Sequence, residues 1–304
     1  MPSDWAVLPN LKAKDCTLKA LPRCAHSAAS LALLAMTCSK ILLWVHLTHI
    51  PCAVSMSDRP LVRSPALHRP PVCVAGFSMR HGGVSAPPYA SLNLGTHVGD
   101  EPAHVAENRD RVCRTLGLRT GQLATAEQVH GNDIAVVDAP GHTSNVDALV
   151  TTAPNIGLAV VTADCAAVLL ADLEAGVVAA CHAGWRGAVA KIVPRTVQRM
   201  HDHGASSAHI QAYIGPCIGV EAFEVGPEVA EQFDATFVDT SYGPKPHVHL
   251  KAALQHDLET SGVSAPHIQV DPACTFTDDR FFSYRADGPP TGRMMGIIGR
   301  AVSS

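Results

Sequence analysis

The chain has 304 residues, 47% of them hydrophobic, and a formal net charge of -4. That length supports one large domain or two modest ones with a buried core. The near-neutral balance gives no long-range pull toward nucleic acid or an anionic membrane, and with 5% aromatic residues there is no basic and aromatic stripe for stacking single-stranded bases. Ten cysteines are too sparse for a disulfide scaffold, and none forms a CxxC pair, which excludes a zinc ribbon and a thioredoxin-type motif. Reduced thiols and a cytoplasmic location are the expectation.

Residues 1–70 stand apart, with four of the ten cysteines and a thin, net positive charge. Within them "ILLWVHLTHIPCAV" (41–54) is interrupted by His46, His49 and Pro51, and falls short of the ~20 apolar residues that cross a bilayer. It is also badly placed for a signal peptide. The segment reads as an appended or mis-started extension, with Met56 a more natural beginning, and 71–304 reads as one domain.

From Val72 the organisation is dense. The sequence predicts a strand at 72–79, a long Gly/Pro-punctuated loop at 80–95 and a helix ended by Gly117. Two short strands around a bend at His130 follow, then a strand pair over 147–165 and a hairpin over 166–182. Next comes "GAVAKIVPRTVQRMHDHG", a helix kinked at Pro194, and then a strand at "HIQAYIG". "GPEVAEQFDATF" and "LKAALQHDLETSGV" read as helices, and "PHIQVDPACTFT" as a strand. Strands and helices mix without a βαβ beat, which favours an α+β sandwich over a doubly wound sheet.

Chemistry concentrates in "VTADCAAVLLADLEAGVVAACHAGWRG" (161–187). Centring the hairpin between Leu173 and Glu174 makes Cys165 and His182 face one another, and directly opposed side chains have Cβ atoms about 4.5–5.5 Å apart. That spacing suits convergence on one ion, and His130 in "EQVHGND" supplies a third ligand beside Gly131. Thiolate plus two imidazoles favours Zn²⁺, with Cu²⁺ the competitor. The same pair also reads as a cysteine hydrolase, with Cys165 as nucleophile, His182 as base and Asp164 or Asn132 as orienter. Arg186, glycine-flanked at a helix start, reads as a phosphate or carboxylate clamp. Arg80 and His81 on the long loop, and Arg285 and Arg293 near the C-terminus, add cations to the same side of the argument. The pairs "HDH" (201–203) and "HVH" (247–249) imitate copper-binding HxH motifs but are too few for a multicopper cluster.

The motifs "GGVSAPPYASLNLGTHVGDEPAHVAENR", "EQVHG", "ADC", "HAGWRG", "YIGPCIG", "FEVGPEV" and "CTFTDDRFFSYRADGPPTGR" resemble, in order, those of the YfiH-type laccase-domain family. The resemblance runs from about Val72 to Arg300 and leaves the extension unmatched. It implies a single four-layer α/β/β/α domain, related to toxin deamidases with a Cys-His pair. Members were long described as polyphenol oxidoreductases and are now understood as purine nucleoside phosphorylases acting on adenosine, inosine and methylthioadenosine, with adenosine deaminase activity. The resemblance also implies zinc on the histidine of "QVHG", the cysteine of "ADC" and the histidine of "HAGW", here His130, Cys165 and His182. One departure is Ala167, where the family usually has proline. The expected partners are purine nucleosides and phosphate. Arg80, Asn93 and Arg186 are the candidates for substrate and phosphate, and Asp164 and Gln128 for proton handling. A copper-dependent phenol oxidase and a Cys-His hydrolase are the alternatives.

Overall fold

Strands with both faces covered carry unbroken apolar runs rather than an alternating pattern. The hairpin Ala166–Asp172 and Val177–Ala183 is such a case, buried at every position. The computed structural model describes residues 60–300, all of which fall within one unit, Pro51–Ser304. The run at 41–54 lies outside the described residues, as do Met56 and the greater part of the predicted extension.

The strands are β1 (Leu61–Val62), β2 (Cys73–Ser78), β3 (Leu123–Ala126), β4 (Ile134–Val136), β5 (Gly141–Thr143), β6 (Ala148–Thr151), β7 (Gly157–Thr162), β8 (Ala166–Asp172), β9 (Val177–Ala183), β10 (Gln211–Ile214), β11 (Val238–Asp239), β12 (His247–Val248), β13 (Ile268–Val270) and β14 (Met294–Arg300). The helices are α1 (Pro102–Thr115), α2 (Trp185–Val189), α3 (Ile192–His201), α4 (Pro227–Ala230), α5 (Leu250–Thr260) and α6 (Tyr284–Asp287). One mixed sheet has the order β1-β2-β14-β7-β3-β5 and the other β13-β10-β8-β9-β6-β4, while β11 and β12 pair separately.

Three apolar layers hold the sheets and helices together, giving the four-layer α/β/β/α order. Val112, Cys113 and Leu116 of the α1 region pack on Val74, Ala159, Met295 and Ile297 of the first sheet. Between the sheets, Phe77, Leu158, Val160 and Ile298 meet Leu149, Leu169 and Val178. Outside the second sheet, Val168, Leu170 and Ala179 meet Ile192, Val197, Leu254 and Leu258 of α3 and α5. Alternate residues of β8 and β9 serve the two layers, as the two-residue side-chain period of a strand requires. The sheets approach closely at Gly296, where an added Cβ would lie 2.6 Å from the Cβ of Ala167.

Several expectations are corrected. Leu61 and Val62 pair with β2 and Leu67 is fully buried, so folded chain extends well before the expected boundary at 70/71. The two strands around His130 are not partners: β3 belongs to the first sheet and β4 to the second. β6 and β7 likewise separate into different sheets. The helix break falls at Lys191, which has a φ of 60°, and not at Pro194. Proline is accepted in the first turn of α3 because an N–H there has no intrahelical acceptor. α4 is a single turn, and the long central strand β14 was not anticipated.

Candidate metal centre

Three links carry the chain from the first sheet to the second at one end of the sandwich. The β3–β4 link holds His130, the β5–β6 link holds Asp147, and the β7–β8 link holds Cys165. The end of β9 adds His182 between them. In this way segments far apart in sequence meet at one point.

The hairpin register is Asp172↔Val177 through Ala166↔Ala183, with Ala167 opposite His182. The turn is therefore centred between Glu174 and Ala175, one position later than expected. Its geometry follows from Gly176, with a φ of 71°, and from Asp172, whose Oδ1 accepts the N–H groups of Glu174 (3.0 Å) and Ala175 (2.9 Å). Cys165 and His182 are thus diagonal neighbours rather than directly opposed. Continuing the ladder places Cys165 opposite Gly184, where an added Cβ would lie 2.9 Å from Cys165 Sγ. The missing side chain makes room for the sulfur.

The ligand atoms of His130, Cys165 and His182 all lie within 4.8 Å of one another. The two imidazole centroids are 4.9 Å apart at 80°. Metal–ligand bonds of about 2.0–2.3 Å in a tetrahedron separate ligand atoms by about 3.5 Å, so small side-chain rotations bring the trio onto one ion. Thiolate and imidazole donors fit a borderline-soft cation. His182 is 3% exposed. Burial alone would raise the Cys165 thiol, but the His182 charge and hydrogen bonds from both imidazoles outweigh it and bring the pKa to about 6. Burial opposes the charge on His182, and the contacts with Cys165 and Asp147 overcome it, raising its pKa to about 9.

Asp147 organises this trio and was missed in the sequence. Its carboxylate is fully buried; Oδ1 accepts from His182 Nδ1–H (2.8 Å) and His130 N–H (3.0 Å), and Oδ2 from Gly131 N–H (2.7 Å) and Val129 N–H (3.2 Å). Its backbone carbonyl also accepts His182 N–H at 2.7 Å. Burial works against the ionised carboxyl, and the His182 and amide contacts still hold it below the usual carboxylate range. With Nδ1 committed to Asp147, Nε2 of His182 is left for a metal. The same contacts pin the loop at His130, whose φ is 60°. An isolated aspartate in "NVDAL" carries no periodic or motif signal that would have pointed to this role.

The other predicted site residues take varied places. Both oxygens of Asp164 are engaged by the C-terminal segment: Oδ1 accepts from the hydroxyls of Thr275 and Ser283 (each 2.7 Å), and Oδ2 from Arg285 N–H (2.7 Å). The Gln128 amide bridges Val161, donating to its carbonyl (2.7 Å) and accepting its N–H (2.8 Å). Asn93 is fully buried and its carboxamide bonds Gly95, Asp100 and Arg293 N–H. Arg80 donates to Ala90 O (3.3 Å), pairs with Asp287 (3.7 Å) and lies 4.7 Å from the Phe282 centroid. Arg186 is exposed and stacks 4.4 Å from the Trp185 centroid, two residues beyond Gly184. Asn132 reaches Ala190 O instead of His182. The rings of His201 and His247 bond Ser207 and Val220 O, away from the trio.

Residues 74–301 match the family described as multi-copper polyphenol oxidoreductase laccase. The chain belongs to the YfiH-type laccase-domain family. Among curated relatives in this family, the Deinococcus radiodurans protein named purine nucleoside phosphorylase is 44% identical over 244 residues, covering 79% of this chain and 92% of its own. Purine nucleoside phosphorylase YfiH of Escherichia coli K12 is 40% identical over 241 residues, 77% of this chain and 96% of its own. Among solved structures, YlmD from Geobacillus stearothermophilus superposes with a TM-score of 0.75 at 33% identity, covering 80% of this chain and 97% of its own. Ala167, two residues beyond Cys165, packs against Gly296 at the contact between the sheets. Among the described residues, no helix is long and apolar enough to cross a membrane.

Proposed function

We propose that this laccase-domain protein is a zinc-dependent purine nucleoside phosphorylase. It would cleave adenosine, inosine and methylthioadenosine with phosphate to the base and the corresponding sugar 1-phosphate, with adenosine deamination as a side activity. The observation that carries the reading is the convergence of His130, Cys165 and His182, in a chain whose relatives are named purine nucleoside phosphorylase. The free cysteines of the described residues and a nucleoside substrate fit a cytoplasmic location.

When bound, zinc supplies a Lewis acid that neutralises and orients an oxyanion. The chain's own residues do the rest. His130, Cys165 and His182 would hold the ion, and Asp147 keeps His182 in the tautomer that offers Nε2. Arg186, exposed just past the trio with its guanidinium over the Trp185 ring, would meet an anionic group, and Arg80 lies on the long loop. In phosphorolysis a phosphate oxygen forms the bond to C1′ as the C–N bond to the purine breaks. The electron pair leaves with the base, which takes up a proton. Asp164, adjacent to Cys165, and Gln128, two residues from His130, are the proposed groups near that transfer. Asn93 orders the loop that faces the sugar and phosphate.

Base release from inosine by the zinc-loaded protein is expected to require added phosphate and to stop with a chelator. Release at full rate without phosphate refutes the assignment. A copper phenol oxidase would instead show several coppers per chain and oxygen uptake on catechols. The trio, a ligand set for a single ion, supports the phosphorylase over that reading.

A further inference from the structure

Two arginines near the trio are embedded in the fold without a carboxylate partner. Arg109, on α1, donates from Nε to Leu94 O (2.9 Å), and Arg293, just before β14, donates from Nη1 to Thr291 O (2.9 Å) and Gly292 O (3.0 Å). Both are half-buried, and among the described residues neither forms an ion pair. Neither Nη group of Arg109 has a protein acceptor among the described residues, and the Arg293 guanidinium lies 5.8 Å from the centroid of the Tyr284 ring.

One rigid loop frames both. Asn93 Oδ1 accepts the N–H groups of Gly95 (3.0 Å) and Arg293 (2.9 Å), and Leu94 N–H donates to Arg293 O (3.0 Å). Arg293 lies across Gly95 so closely that an added Cβ would sit 2.7 Å from its Cγ. Buried Asn108 donates to Asn93 O at 2.9 Å and ties the loop to α1 one residue before Arg109. His97 follows on the same loop. The loop is built to hold two guanidinium groups, yet supplies only neutral carbonyls to them.

The pair lies within electrostatic reach of the metal centre. Burial, the larger effect, lowers the Arg293 pKa, while Cys165 is first among the groups that act against it. Burial likewise lowers Arg109. The His97 pKa is lowered by desolvation first, then by the charges of Arg293, Arg109 and His130. A half-buried cation without an ion-pair partner is costly, and a bound anion reduces that cost. Planar guanidinium forks match phosphate oxygens two at a time.

We propose that Arg109 and Arg293, with His97 at the rim, form a phosphate-binding subsite beside His130, Cys165 and His182. This rests on the phosphorylase reading for its use in catalysis, but the subsite itself does not depend on it. It makes Arg109 and Arg293, rather than Arg80 or Arg186, the main holders of the phosphate oxyanion.

The test uses zinc-loaded Arg109→Lys and Arg293→Lys variants, with Arg114→Gln as a surface control that, among the described residues, pairs with Glu107 and Asp110. Inorganic phosphate binding is measured by calorimetry, and KM for phosphate and for inosine by base release. Each lysine variant is expected to weaken phosphate binding and raise phosphate KM by about tenfold or more. Zinc content, inosine KM and melting temperature should stay near wild type, and Arg114→Gln should change nothing. Wild-type phosphate binding in both lysine variants overturns the subsite while leaving phosphorolysis intact. If wild type binds phosphate and the variants lose it, but no base is released, the phosphorylase reading fails and the subsite stands. Should one variant melt early, the other decides the question.

Discussion

Replacing Asp147 tests the organisation of the metal centre. The carboxylate accepts four N–H groups, from the His182 ring and from the backbone of Val129, His130 and Gly131, and it is fully buried. Asparagine keeps the shape but offers one acceptor oxygen. Whichever way the amide is turned, its NH₂ faces two N–H donors, so two charge-assisted hydrogen bonds are lost, each worth about 1.5–3 kcal/mol. The fold absorbs part of this by moving the 129–131 loop, which carries His130. For the metal, loss of a partner to a ligating histidine lowers affinity about 10–100-fold. Asp147→Asn is expected near the lower end, because its oxygen can still accept from Nδ1–H. Asp147→Ala, which also strands three backbone amides, is expected near the upper end. Zinc affinity is read by competition with a chromophoric chelator, alongside thermal unfolding of the zinc-free protein. If both variants bind zinc as tightly as wild type, Asp147 does not position the trio and the account of the site is wrong.

Gly184→Ala is a steric counterpart: the backbone there has an ordinary φ of -77°, but the new Cβ would lie 2.9 Å from Cys165 Sγ. We expect zinc affinity to fall at least about tenfold with the melting temperature little changed; intact affinity counts against the assigned sulfur position. Zinc affinity should also climb with pH between about 6 and about 9, because Cys165 is already ionised above about 6 whereas His182, at about 9, holds a proton that the metal must displace. Raising the pH removes that competing proton, so log affinity against pH should have a slope of about one and then flatten; a level profile rejects the Cys165–His182 coupling. Metal removal should expose Cys165 to iodoacetamide at neutral pH, ahead of Cys73, Cys181 and Cys217, which burial pushes up to about 12. Mass spectrometry of labelled peptides, with and without zinc, checks the order of reaction and the protection. Away from the site, Gly296→Ala forces a Cβ to 2.6 Å from that of Ala167 and should cost about 1–3 kcal/mol in denaturant unfolding; a neutral result means the sheets can part there.

Local features of the sequence determined a good deal. The apolar runs flanking "DLEAG" specify the β8–β9 hairpin, and Gly117, with a φ of 72°, stops the helix preceding it. The expected register was wrong by two residues, yet Cys165 and His182 still share a face, because a shift of two preserves side-chain direction and a shift of one reverses it. Gly176 and Asp172 held the signal for the true register. Tertiary structure alone decided which strands became neighbours. β3 and β4 read as a pair around His130, but the sheets divide them, and that division carries His130, Asp147 and Cys165 across the same end of the sandwich. Asp147 has meaning only there, since its four donors come from segments linked by no sequence period. Periodicity records which face of an element is buried; it holds no record of which buried faces meet, and the trio of His130, Cys165 and His182 is assembled at such a meeting.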